Sequence, residues 1–140
     1  MTFLDGNLRG MQHLGLPVTD LERSQEFFLR LGFTTALRTD LHEDRGVVRV
    51  AMMEKDALTI ELYQLPGVER DEIASRHDGH IDHIALDVRD IDWAYAELKA
   101  AGFEILEADA PVFLPFWSNG VKFFTVRGPD GEKVEFNQRL

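Results

Sequence analysis

The chain has 140 residues and no cysteine, so neither a disulfide framework nor a thiolate metal site can form. No apolar run approaches the ~18 residues that a bilayer-spanning helix needs. The opening MTFLDGNLRG lacks the basic flank and apolar stretch of a signal peptide. Basic residues are outnumbered, 15 Lys and Arg against 25 Asp and Glu, for a formal net charge of −10. That sign argues against binding to nucleic acid or to an anionic membrane surface. A cytoplasmic, enzyme-sized domain is the expectation. What the chain does have is 44% hydrophobic residues, enough for one compact domain.

It also has a repeat. Met11–Phe33, MQHLGLPVTDLERSQEFFLRLGF, aligns without a gap with Ile81–Phe103, IDHIALDVRDIDWAYAELKAAGF. His13/His83, Leu16/Leu86, Val18/Val88, Asp20/Asp90, Gly32/Gly102 and Phe33/Phe103 are identical. Later in each half TIEL (59–62) aligns with KVEF (133–136), pairing Glu61 with Glu135. A unit of about 70 residues is too long for a solenoid repeat, so two half-domains are expected: module one at about 10–65, a polar linker at 66–80, and module two at about 81–138.

Each half reads strand, helix, then three strands. The expected strands are 10–18, 33–39, 46–53 and 57–65, then 81–88, 103–107, 120–127 and 132–137. Asp20 and Asp90 are N-cap candidates, and Gly32 and Gly102 suit the left-handed position that closes a helix. Asp130-Gly131 after Pro129 signals a tight turn. The stretch 108–119, with Pro111, Pro115, Phe113, Phe116 and Trp117, is expected to be irregular, either packed on the core or forming a rim above a pocket.

Strand side chains alternate between faces. Leu58, Ile60 and Leu62 should face a helix, which sends Thr59, Glu61 and Tyr63 the other way. Val134 and Phe136 do the same for Lys133, Glu135 and Asn137. Leu14 and Leu16 oppose His13, and Ile84 and Leu86 oppose His83. Two imidazoles and two carboxylates thus occupy equivalent places on the faces away from the helices, and these are ligand types for a divalent metal. A lone strand His is more often structural, and a lone strand Glu is usually solvated. The doubled pattern is what favours a site. His42, His77 and His80 have no repeat partner and read as surface residues, with His80, close to the strand at 81–88, a minor alternative ligand.

On these residues, and on FFTVRGPDGEKVEFNQ near the end, the chain resembles the vicinal oxygen chelate superfamily, which includes glyoxalase I, methylmalonyl-CoA epimerase, extradiol dioxygenases and bleomycin resistance proteins. The resemblance implies an α+β fold of two tandem βαβββ modules forming a curved mixed-sheet cleft, of the glyoxalase/dihydroxybiphenyl dioxygenase type. It also implies metal ligands at His13, Glu61, His83 and Glu135, with one divalent ion (Ni, Zn, Co, Mn or Fe). That ligand set is most like glyoxalase I, a lactoylglutathione lyase. The implied function is a lyase or isomerase that moves a proton through a metal-bound enediolate, with Glu135 as base and Glu61 able to share the role. Pro17 and Leu65 stand where glyoxalase I enzymes of this size place an Arg and an Asn that help hold glutathione, so that substrate is not matched. The alternatives are a non-catalytic antibiotic- or metabolite-binding protein, an epimerase and a dioxygenase. Substrate contacts are expected from Arg49, Thr59, Tyr63, Phe123, Lys133 and Asn137, and family members are commonly homodimers.

Overall fold

The computed structural model describes residues 2–30, 32–76, 81–127 and 133–140, with the backbone alone at Arg30. His77, His80 and the Pro129–Gly131 turn therefore lie outside the described residues. The elements run β1 (Leu8–Pro17), α1 (Leu21–Arg30), β2 (Thr34–Glu43), β3 (Gly46–Lys55), β4 (Leu58–Gln64), α2 (Gly67–Ser75), β5 (His83–Val88), α3 (Ile91–Ala100), β6 (Val112–Leu114), β7 (Val121–Arg127) and β8 (Lys133–Arg139). They form two compact units, one of residues 13–82 and the other of 1–12 with 83–140. The boundary falls inside β1, between Gln12 and His13.

In the unit of 13–82, β1 runs parallel to β4, which is antiparallel to β3, and β3 to β2. Helix α1 lies on one face through Leu21 and Phe28, against Val18, Ala51, Met53, Leu62 and the flanking Ile60. In the other unit β5 runs parallel to β8, and β8, β7 and β6 follow antiparallel. Its core joins Ile91, Ala94, Tyr95 and Leu98 of α3 to Val88, Phe124, Val126 and Phe136. Both units are thus βαβββ, as the repeat requires.

The repeat holds at the level of single hydrogen bonds. Asp20 accepts from the Arg23 amide at 3.0 Å, and Asp90 from the Trp93 amide at 2.9 Å, two N-caps of the same kind. Gln64 Oε1 accepts from the Leu21 amide at 2.8 Å, and Gln138 Oε1 from the Ile91 amide at 2.9 Å. The last strand of each unit therefore satisfies an orphan donor at its helix start. At the helix ends Phe33 N donates to Phe28 O and Phe103 N to Leu98 O, each at 3.1 Å, while Gly32 and Gly102 take φ of 87° and 81°. This is the Schellman closure that only a residue tolerant of positive φ makes cheaply.

Four expectations change. The linker holds a helix, α2, none of whose residues is buried. Residues 103–107 form only an isolated bridge, Ile105 to Val126, and the edge strand lies instead at Val112–Leu114, between the two prolines. The 108–119 stretch divides its aromatics. Phe116 is buried and Trp117 carries the Arg139 guanidinium 4.1 Å above its ring, while Phe113 is exposed. Leu58 and Ile84 are 54% and 43% exposed, so the packed faces begin at Ile60 and Leu86.

Residues 2–12 clamp α3. Leu4 is buried in its core and donates its amide to Glu97 at 2.8 Å. Asn7 exchanges side-chain hydrogen bonds with the backbone of Asp90 at 2.9 and 2.8 Å.

Candidate metal centre

Within the unit of 13–82, His13 is buried and its Nε2 stands 3.1 Å from Glu61 Oε2. Within the other unit, His83 Nε2 stands 3.4 Å from Glu135 Oε2. Each pair is made by the first and last strands of its unit, which run parallel side by side. Register places Gly15 beside Glu61 and Ala85 beside Glu135. These are the residues two after each His, hence on the same face. A side chain of one carbon or none leaves room beside each carboxylate. Sequence reasoning passed over this pair, although His-x-Gly against His-x-Ala was there to see.

The second neighbour differs between units. Glu61 lies beside Met52 and Tyr63 beside Val50, and Met52, Val50 and Tyr63 are all buried. Glu135 lies beside Thr125, and Asn137 beside Phe123. One carboxylate therefore has an apolar wall, the other a hydroxyl.

Around Glu135 there is a partly buried amide chain. Asn137 Nδ2 donates to Glu135 Oε1 at 2.8 Å, and Gln12 Nε2 donates to Asn137 Oδ1 at 2.8 Å. Gln12 carried no sequence signal beyond its place before His13. In the other unit the equivalent positions are Tyr63 and Asp82. The Tyr63 phenol is pushed well above its ordinary range, first by burial and then by the carboxylates of Asp82 and Glu61.

Of the expected substrate contacts, Thr59 and Tyr63 share the face of Glu61, and Phe123, Lys133 and Asn137 share that of Glu135. Arg49 does not join them. It has the parity of Ala51 and Met53, the α1 side, and there binds Glu22 of α1 through both terminal guanidinium nitrogens, with Arg38 on the same carboxylate. Hydrogen bonds from Arg49 and then Arg38 hold the Glu22 carboxyl at about 2. A titration followed by NMR is expected to show that midpoint, rising toward the ordinary 4.5 in Arg49→Gln. Because the folded value is the lower one, the stabilisation is complete above the unfolded value and fades as pH falls toward 2. Its size is small, since Glu22 is more than half exposed.

Among the described residues no helix is long and apolar enough to cross a membrane. A profile of the Glyoxalase/Bleomycin resistance protein/Dioxygenase superfamily matches residues 10–136. The uncharacterized protein YwbC of Bacillus subtilis (strain 168) is 28% identical over 130 residues, 92% of this chain and 97% of its own. Among solved structures, methylmalonyl-CoA epimerase from Mycobacterium tuberculosis is similar at TM-score 0.77 and 20% identity, over 100% of this chain and 92% of that one. Streptomyces coelicolor methylmalonyl-CoA epimerase (E43Q) in complex with 2-nitronate-propionyl-CoA is similar at TM-score 0.75 and 23% identity, over 94% and 97%. With two βαβββ units, a His–Glu pair at the same place in each and a profile match along nearly its whole length, the chain belongs to the glyoxalase/bleomycin resistance protein/dioxygenase, or vicinal oxygen chelate, superfamily.

Proposed function

We propose that the protein is a divalent-metal-dependent isomerase or lyase that moves a proton at a carbon next to a carbonyl, with His13, Glu61, His83 and Glu135 serving one ion. The observation that carries this is the spacing inside the two pairs. Two ligands ~2.1 Å from a metal and 90° apart stand ~3.0 Å from each other. The pairs, at 3.1 and 3.4 Å, are already set at about that span. The donors are nitrogen and oxygen without sulfur, which suits Ni, Zn, Co, Mn or Fe.

When bound, such an ion supplies positive charge against the negative charge that develops on the substrate oxygens. The chain's own residues do the rest. Glu135 takes the proton from the carbon and keeps it on a carboxyl oxygen until it is returned. Glu61, at the equivalent place in the other unit, is the second carboxylate through which the proton can go back. Gly15 and Ala85 give the substrate access to the two carboxylates. Met52 and Val50 present apolar surface beside Glu61 and Tyr63, and Thr125 and Phe123 a mixed surface beside Glu135 and Asn137. Return to the opposite face of the same carbon, from the second carboxylate, is epimerisation, the activity named for several of the similar solved structures. Return to the neighbouring carbon is the glyoxalase I reaction, which the resemblance in ligand set supports. The reading places the protein in the cytoplasm, as a homodimer acting on a small molecule.

Elemental analysis of purified protein tests this first. About one divalent ion per chain is expected, lost in His13→Ala. Incubation in deuterated water with methylmalonyl-CoA or with a hemithioacetal, in separate arms, should then label the substrate carbon. Protein that contains and takes up no metal, yet binds an aromatic ligand without turnover, would sink the enzyme reading in favour of sequestration.

A further inference from the structure

The amide chain Gln12–Asn137–Glu135 has a direction fixed by its chemistry. A carboxylate only accepts, so the Asn137 NH2 must face Glu135 and its carbonyl must face Gln12. That carbonyl only accepts, so Gln12 must present its own NH2. Both contacts are 2.8 Å, and Asn137 and Glu135 are buried. From this we infer that Asn137, oriented by Gln12, is a positioning residue: it fixes the rotation of the Glu135 carboxylate so that Oε1 is tied back and Oε2 stays on the His83 side. The inference rests on the metal-centre reading above and adds to it the group that aims its base.

The other unit makes the point by contrast. Tyr63 and Asp82 stand where Asn137 and Gln12 do. A phenol carries one proton, so Tyr63 can donate to one acceptor at a time. An amide, with two donors and an acceptor, satisfies both neighbours at once. Glu135 is therefore held by a group that is itself held.

The test exploits the fixed direction. Gln12→Glu changes one group, does not touch Glu135, and turns a donor into an acceptor. Asn137 must then flip to give its NH2 to the new carboxylate, which turns its carbonyl toward Glu135 and repels it. Two quantities are read on folded, full-length protein: zinc affinity of metal-stripped protein by chelator competition, and kcat with KM on whichever substrate exchanges deuterium. Expected for Gln12→Glu is a ~10-fold to 100-fold loss of zinc affinity and of kcat, the range typical when a group supporting a ligand is lost, with KM within about twofold. Asn137→Ala should lose a similar factor, and adding Gln12→Glu to it should cost nothing further. Non-additivity of this kind is what an interaction passing through Asn137 predicts, and a general packing defect does not produce it. Unchanged zinc affinity in Gln12→Glu, or full additivity in the double variant, overturns the inference. If the unmodified protein itself fails to bind zinc or another of the named metals, it is the metal-centre reading that has failed.

Discussion

Glu135→Gln is expected to lower kcat by ~10²- to 10⁴-fold, the usual contribution of a positioned general base, with only a modest loss of bound metal. The amide is nearly isosteric. Its single oxygen can stay on the His83 side while its NH2 donates to Asn137 Oδ1, once the Asn137 and Gln12 amides turn over from the contacts they make at 2.8 Å. What it cannot do is hold a proton taken from carbon. The same change at Glu61 should cost less if Glu135 abstracts and Glu61 only assists. Steady-state kinetics with metal content measured on the same samples separates the two effects. Full turnover in Glu135→Gln would show that the proton goes elsewhere.

The largest stability effect is expected at Phe124. Its side chain is fully buried, edge-on to Tyr95 at 5.3 Å and stacked on Phe136 at 5.1 Å between centroids. It thus joins α3 to β7 and β8 at the centre of one core. Phe124→Ala leaves a cavity bounded by two rings, and the cost is ~3–5 kcal/mol. Against a total of ~5–15 kcal/mol for a typical protein, this is a large share. Urea denaturation should show a lower midpoint at an unchanged slope. A loss under ~1 kcal/mol would mean that the rings close over the gap. The change lies on the α3 face, away from Glu135, so metal binding by the folded variant should persist.

The His–Glu pairs could be read from the chain because two independent patterns agreed on them, the repeat and the strand alternation. Arg49 was misplaced for a definite reason. The run 46–53 is apolar on both faces, Val48, Val50 and Met52 on one and Ala51 and Met53 on the other, so alternation gives no direction there. Helix α2 left no trace because it buries nothing and so has no apolar stripe to betray it. Strand β6 is three residues long with a proline on either side, too short for a period to show. Asn137 was legible only as a residue on the Glu135 face, and Gln12, Gln64 and Gln138 are polar residues in strands, which composition alone assigns to solvent. Their roles depend on which backbone or carboxylate group lies opposite, and pairing in space decides that. Gln64 and Gln138 were nonetheless within reach, each three residues after its Glu.

The clamp that residues 2–12 place on α3 means that the copies written in the sequence are not the pieces that fold. A fragment beginning at His83 would lack Leu4 from its core and Asn7 from the start of its helix. Such a fragment should need a synthetic peptide of the first twelve residues, supplied in trans, to become native. The duplication therefore produced a second half whose core begins in residues that precede the first, so it cannot be inherited, swapped or expressed as a free-standing part.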